Sequence, residues 1–369
     1  MIPTDESQLA GPAPTSASTL YDVARVAGVS TATVSRVVHG ADRVKASTRQ
    51  RVLEVIDALG YVPDGAAQSL SRKTKQVVGL VAVASRGPES DIEQTSLLFV
   101  EEVLRGVERP LGDLGWSVLI SFLRGSGLAS AYQRMQKISA KVDGMIIAEG
   151  IADPEQLALL AARLPIALIA AYPDEPHADV IGADNRSGTK AAVCHLVEQH
   201  GRTRLFYIAG PAEAPDARER FSAFEEAVAE HPGATLTGSF EGRFAAISGQ
   251  LAVRELLAGP CQELPDAIVC GNDQMAIGAM RELQTAGVRV PADVAVVGFD
   301  DIPLGALLTP PLTTVRQPIR LLGQRACSRL LQRIGDPTLP PRVERLPTEL
   351  IVRESCGCGR DPASALSQH

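Results

Sequence analysis

From Val77 onward, short apolar runs alternate with amphipathic stretches, and this rhythm restricts the fold more than any other feature. The runs lie at 77–83, 116–120, 144–147, 166–169, 205–208, 267–270 and 294–297. A strand that is apolar on both faces must be covered on both faces, which is the condition of a parallel sheet flanked by helices. Stretches at about 97–114 and 129–140 have the helical period to supply that cover. Counting weaker runs, about ten strands are expected, more than one sheet with one switch point accommodates. The chain from 76 to 358 is therefore expected to form two doubly wound α/β subdomains with a cleft between them. The N-subdomain would take about 76–181 and 317–346, and the C-subdomain about 182–316 and 347–358. Apolar residues make up 45% of the chain and aromatics 4%, so the cores should be built of Ala, Val and Leu.

The first part of the chain has a different rhythm. Thr19 and Asp22 stand three apart, the spacing of a capping box at a helix start. Leu20, Val23, Ala24 and Ala27 then fall on one helical face. Gly28 suits the left-handed turn that ends such a helix. Ser30 can cap a second helix, whose buried side is Val34, Val37 and Val38. Its other side presents Thr31, Ala32, Ser35 and Arg36. A third helix is expected over 47–59, with Val52, Val55, Ile56 and Leu59 inward and Gly60 at its end. Small groups, hydroxyls and one forked donor are what a helix lying in a DNA major groove needs. The periodicity alone suits an ordinary helical hairpin equally well.

Charge separates the two readings. The net charge is −7, but residues 19–75 hold nine Arg and Lys against five Asp and Glu, or +4. Residues 1–18 carry −2, which leaves −9 on the remainder. A basic head on an acidic body is the footprint of a nucleic-acid module joined to a domain that does not touch the nucleic acid. Residues 1–18, rich in Ala, Pro, Ser and Thr, have the composition of a disordered tail, and 359–369 form a second tail.

The residues themselves go further. Leu20-Tyr21-Asp22-Val23-Ala24, Ala27-Gly28-Val29-Ser30 and Thr33-Val34-Ser35-Arg36-Val37-Val38 resemble the headpiece of the lac-repressor (LacI) family of bacterial transcriptional regulators. Similarity continues at Gly271-Asn272-Asp273-Gln274-Met275, Val296-Val297-Gly298-Phe299-Asp300-Asp301, Pro310-Pro311-Leu312-Thr313-Thr314-Val315 and Leu321-Leu322-Gly323-Gln324. The resemblance implies a helix-turn-helix headpiece at 19–63, a hinge helix at 64–75 and a core like that of periplasmic sugar-binding proteins. It also implies a homodimer on a palindromic double-stranded operator, controlled by a small molecule, expected to be a carbohydrate. Carried over residue by residue, the DNA contacts would be Thr19, Tyr21, Ser30, Thr31, Ala32, Thr33, Ser35, Arg36, His39, Arg43 and Thr48, with Ala67 and the minor-groove wedge Leu70 in the hinge. Arg220 and Asp300 would form a polar clamp on the effector, supported by Asn272 and Gln274, with Phe224, Ile181 and Ile319 as apolar walls. Three places depart from the family pattern. Lys45 replaces a small hydroxyl cap, 85–99 lacks the usual Asn-Pro-Phe-Phe-like element, and Ala170-Ala171 stand where lac repressor has a polar group.

Signatures of other functions are missing. There is no G-x-S-x-G, G-x-x-x-x-G-K or H-E-x-x-H, so neither an enzyme nor a cofactor is expected. Six cysteines are too few for a disulfide scaffold. Cys356 and Cys358 read as free thiols, since two ligands without partners make a poor zinc site. His195 and His200, five apart, would face different sides of an α-helix, so no metal pair is expected. Asp184-Asn185 reads as the cap of the next helix. No apolar run is long enough to cross a membrane, and no secretory signal is recognisable, which points to the cytoplasm.

Overall fold

The computed structural model describes residues 18–38, 44–61, 74–84, 89–124, 128–148, 154–171, 177–259 and 263–359. They form two compact units divided at Lys75/Gln76. The tails, the loop with His39 and Arg43, and the hinge stretch with Ala67 and Leu70 lie outside the described residues.

Among the described residues the first unit has three helices, α1 (Leu20–Ala27), α2 (Thr31–Val38) and α3 (Ala46–Leu59). The capping box is formed at α1. Asp22 N–H donates to Thr19 Oγ1 at 3.3 Å, while Thr19 N–H and Oγ1 donate to the Asp22 carboxylate at 3.0 and 2.7 Å. These bonds, together with Arg25, hold the Asp22 carboxyl at about 2, below the usual carboxylate range. Gly28 ends α1 in the left-handed region at φ +64°, which a β-carbon disfavours. Val23, Val34 and Val52 are fully buried where the helices meet. Each buried valine contributes roughly 1.5–3 kcal/mol. Lys45 makes no side-chain cap at the start of α3, as its chemistry dictates.

In the second unit, β1 (Val77–Ala84) leads through α4 (Glu89–Gly112) to β2 (Ser117–Arg124). α5 (Leu128–Ser139), β3 (Gly144–Ala148), α6 (Pro154–Ala161), β4 (Ile166–Ile169) and β5 (Asp179–Ala183) follow. α7 (Asn185–Cys194) runs on as a π-helical turn over His195–Gln199. Next come β6 (Arg204–Ala209), α8 (Pro215–Glu230), β7 (Thr235–Glu241), α9 (Ala246–Ala258), β8 (Ala267–Cys270), α10 (Asp273–Thr285), β9 (Ala295–Asp300) and β10 (Thr313–Arg316). α11 (Ile319–Gly335), β11 (Val343–Leu346) and β12 (Glu349–Ile351) complete the unit.

The strands make two six-stranded sheets, ordered β11-β5-β4-β3-β1-β2 and β12-β10-β9-β8-β6-β7. All pairs are parallel except β10 with β12. Apolar clusters cover both faces of each sheet. The chain passes between the two lobes three times: after β5, between β10 and α11, and between β11 and β12.

Two expectations need correction. α4 begins at Glu89, earlier than the expected 97, so Ser96-Leu97-Leu98-Phe99 is helical. Residues 89–96 contain neither Gly nor Pro to stop it. Strands β5, β7, β10, β11 and β12 were not among the apolar runs. β7 alternates exposed and half-buried residues at a sheet edge and so has no continuous apolar signal.

Glycines let two helix pairs touch backbone to backbone. A β-carbon on Gly106 of α4 would fall on the Arg320 carbonyl of α11, and one on Gly323 would fall on the Val103 carbonyl. Gly249 of α9 and Gly278 of α10 stand in the same reciprocal relation, against the carbonyls of Met275 and Ala246.

Candidate DNA-reading helix and interlobe polar cluster

On α2 the burial pattern separates the faces. Val34 and Val37 are buried, while Ala32 and Arg36 are exposed and Thr31, Thr33 and Ser35 half-buried. Ser30 accepts the Thr33 N–H at 3.2 Å, and its hydroxyl lies 2.9 Å from Thr33 Oγ1, so it is the N-cap of the reading helix. Tyr21 projects outward from α1 with 76% of its surface exposed. Thr19 is engaged by Asp22, and Thr48 is half-buried in the first turn of α3. α2 thus leaves a face of small side chains around a single guanidinium.

In the second unit the polar groups that matter gather at the C-terminal ends of strands, where open α/β sheets place ligands. Asp300 is the last residue of β9, and Arg220 comes from the second turn of α8. Arg220 is 4% exposed and lies 3.6 Å from both Asp300 and Asp216. It donates to Asn185 Oδ1 at 2.8 Å and to the Gly271 carbonyl at 2.7 Å, with its guanidinium 3.8 Å from the Phe299 ring centroid. Asn185 donates onward to Asp216 and Glu219 at 2.9 and 3.0 Å. Gln317 donates to Asp300 at 2.6 Å. Burial pushes the Asp300 carboxyl up to about 6, with Arg220 and Gln317 opposing the rise. Gln317 Oε1 in this cluster is buried without a hydrogen-bond partner, an exception to the rule that buried polar groups are paired.

The backbone under Asp300 is strained. Asp300 and Asp301 have φ of +120° and +59°, costly for residues with a β-carbon. The surroundings hold them there. Asp273, wholly buried, accepts from Ile302 N–H at 2.8 Å and from Thr314 Oγ1 at 2.5 Å. Asp301 is gripped by Arg316 and Arg353 at 2.7 and 2.6 Å. Burial, with Asp300 close by, raises the Asp273 carboxyl well above its ordinary range. A β-carbon on Gly298 would collide with that carboxyl, so the glycine makes room for it.

Arg220 and Asp300 are therefore brought together, as the sequence reading expected. Asn272 sits beside them, but its side chain is spent on capping α10 and on the Phe244 carbonyl, both at 3.0 Å. Gln274 is half-buried in the first turn of α10. Phe224 must be moved from wall to core: it is fully buried against Tyr207, with ring centroids 4.6 Å apart. Its position faces the sheet, and a 3.6-residue period cannot distinguish that from a cleft wall. Ile181 and Ile319 belong to the N-lobe core cluster, together with Ala170. Sequence reading missed Asn185, Gln317 and Asp273. Asp184 does cap α7, accepting the Ser187 N–H at 3.1 Å, but the Asn185 beside it reaches Arg220. The available signal was its place directly after a strand end.

His195 and His200 also require correction. The π-helical turn adds a residue per turn, which brings positions five apart onto one face. Their Nε2 atoms lie 3.3 Å apart.

Comparison with known proteins agrees with this architecture. Residues 19–64 match bacterial regulatory proteins of the lacI family, and 193–356 match a periplasmic binding protein-like domain. The chain is 33% identical over 344 residues to the HTH-type transcriptional repressor PurR of Aliivibrio fischeri, covering 92% of this chain and 98% of the relative. It is 32% identical over 347 residues to the ribose operon repressor of Escherichia coli K12, covering 92% and 99%. The lac repressor dimer bound to operator and the anti-inducer ONPF superposes with a TM-score of 0.80 at 32% identity, over 92% of this chain and 99% of that one. The transcriptional regulator CelR–cellobiose complex gives a TM-score of 0.66 at 32% identity, over the same shares. Among the described residues no helix is long and apolar enough to cross a membrane. A helix-turn-helix head followed by two parallel-sheet lobes, with likeness along nearly the whole chain, places the protein in the lacI family of bacterial regulatory proteins, as a DNA-binding transcriptional regulator and not an enzyme.

Proposed function

We propose that the protein is a cytoplasmic, homodimeric repressor that binds a palindromic operator and responds to a carbohydrate held between its lobes. The observation that carries the effector assignment is the Arg220–Asp300–Asn185–Gln317 cluster at the strand ends. A carboxylate and a guanidinium side by side accept from and donate to vicinal hydroxyls. The relatives support the class: one is named for a ribose operon, and CelR was solved with cellobiose. On the DNA side, Arg36 is the group suited to a guanine edge, and Thr31, Thr33 and Ser35 suit phosphate contacts. One reading helix covers too few base pairs for specificity, so two copies act on two half-sites.

Selection from random DNA with the purified protein is expected to return an inverted repeat with half-site centres about one helical turn apart. Arg36→Ala should lose about 1–3 kcal/mol per half-site and relax one position. Equal weakening on random and selected DNA would remove its base-reading role. A melting screen with pentoses, hexoses, disaccharides and purines should show stabilisation by a sugar that changes operator affinity. Asp300→Ala should abolish that response and keep operator binding. A response confined to purines would overturn the carbohydrate assignment and leave the regulator assignment standing.

A further inference from the structure

Four side chains from two distant stretches converge where α7 ends. His195 opens the π-helical turn and His200 directly follows it. Facing them is Cys356-Gly357-Cys358, beyond β12. Gly357 reverses this segment at φ +115°, and a β-carbon on it would come within 3.1 Å of His200 Nδ1. The short turn therefore closes tightly over the imidazole and aims both thiols at the ring nitrogens.

Cys356 Sγ lies 3.3 Å from His195 Nε2, and Cys358 Sγ lies 3.2 Å from His200 Nε2 and 3.6 Å from His195 Nε2. The two Nε2 atoms are 3.3 Å apart, and all four donor atoms lie within 4.8 Å of one another. For a tetrahedral ion with ordinary zinc bond lengths, nitrogen donors stand about 3.3 Å apart and nitrogen–sulfur pairs about 3.6 Å. The N–N distance and one N–S distance match these values, and the other two N–S distances, 3.3 and 3.2 Å, are shorter by 0.3–0.4 Å. Hydrogen bonding explains the set less well, because when each thiol donates to an imidazole the two Nε2 atoms are both acceptors, and their 3.3 Å approach is then left without a proton between them. The donor set of two sulfurs and two nitrogens is that of a closed zinc site.

We propose that His195, His200, Cys356 and Cys358 bind a structural zinc ion. All four positions are filled by protein, so no place remains for a reacting water. The ion would fasten the segment beyond β12 to the end of α7 remote from Asn185. It would also account for the π-helical turn, since one extra residue in that turn is what presents both histidines to the same point.

The test uses the full-length chain, purified under reducing conditions without chelator. Elemental analysis should find one zinc per chain, and Cys358→Ser and His200→Ala should each lower this to background. After stripping, added cobalt(II) should produce the visible bands of a tetrahedral site with a thiolate charge-transfer band, and zinc should abolish them. Chelator should lower the melting temperature of the natural protein and leave that of Cys358→Ser unmoved. Cys194→Ser, which alters the neighbouring Cys194–Glu198–His231 group, should keep its zinc. Reduced protein that holds no zinc and gives no cobalt spectrum would overturn the assignment. So would full zinc retention in both site variants, zinc lost only in Cys194→Ser, or a Cys356–Cys358 disulfide persisting under reduction.

Discussion

The two lobes share one strand order, yet corresponding helix pairs differ in the contact buried between them. In each lobe the helix arriving from the other lobe packs against the first helix of the lobe. In the N-lobe these are α11 and α4, locked backbone to backbone through Gly106 and Gly323. In the C-lobe they are α7 and α8, joined at one end by the buried Asn185–Arg220 bond. Along their surface run the ion pairs of Arg186 with Glu226 and of Lys190 with Glu226 and Glu230. Glycine contact fixes a distance and offers a ligand nothing. Polar pairing leaves donors and acceptors that a ligand can recruit. Arg320 of α11 does pair with Glu102 of α4 at 3.0 Å, but on the exposed rim, whereas the Arg220–Asn185 pairing of α7 and α8 is buried where a ligand can reach it only by entering the lobe.

The comparison is best broken at Arg220. Arg220→Ala leaves Asp300 and Asp216 buried without their cation, which should cost about 3–5 kcal/mol in denaturant unfolding. An unchanged midpoint would mean that the polar pairing does not hold the C-lobe pair. The N-lobe counterpart is Gly323→Ala, where a methyl must displace the backbone of α4. A loss of about 1–3 kcal/mol is expected, with effector affinity within about twofold of the natural protein. An effector affinity that collapsed with the glycine would show that the N-lobe lock also shapes the site.

Asp300 sharpens the contrast through pH. Its carboxyl titrates at about 6, above the ordinary 3.8. Hydroxyls of a bound effector donate to the ionised form, so protonation competes with binding. Affinity should be level above pH 6 and fall toward tenfold per unit below it. Because the folded state binds the proton more tightly than the unfolded chain, this group's contribution to stability runs the other way. It is lost as pH rises from about 4 through 6. Asp300→Asn should flatten both profiles, and calorimetry with the effector over pH 5–8 reads the first. The smallest effect is expected on the surface of the same helix pair. Arg186→Ala removes a half-exposed ion pair with Glu226 and should cost under about 1 kcal/mol. A larger loss would mean that the outer charges, and not Arg220, hold α7 to α8.

Much of this was legible in the chain. The capping residues Thr19 and Ser30, the stop at Gly28 and the valines of α2 follow from local rules, and the structure has them in those roles. Apolar runs revealed the central strands because burial on both faces leaves no other composition possible. The edge strand β7 escaped because a half-solvated strand carries only a weak alternation. Arg220 and Asp300 were found by likeness to a family. Their partners Asn185 and Gln317 were not, because pairing across 35 and 17 residues leaves no periodic trace. Phe224 was misplaced because helical period identifies an apolar face without saying what lies against it. His195 and His200 were separated by assuming 3.6 residues per turn in a stretch that departs from it.

The three passages of the chain between the lobes have a mechanical consequence. One connection would let the lobes swivel and shear freely. Three side by side, leaving β5, β10 and β11, resist sliding and leave bending about a single axis as the soft motion. Whatever a molecule between the lobes does to them is then expressed as one angle. A regulator with a single softened coordinate spends little of its ligand's binding energy on choosing among closed shapes.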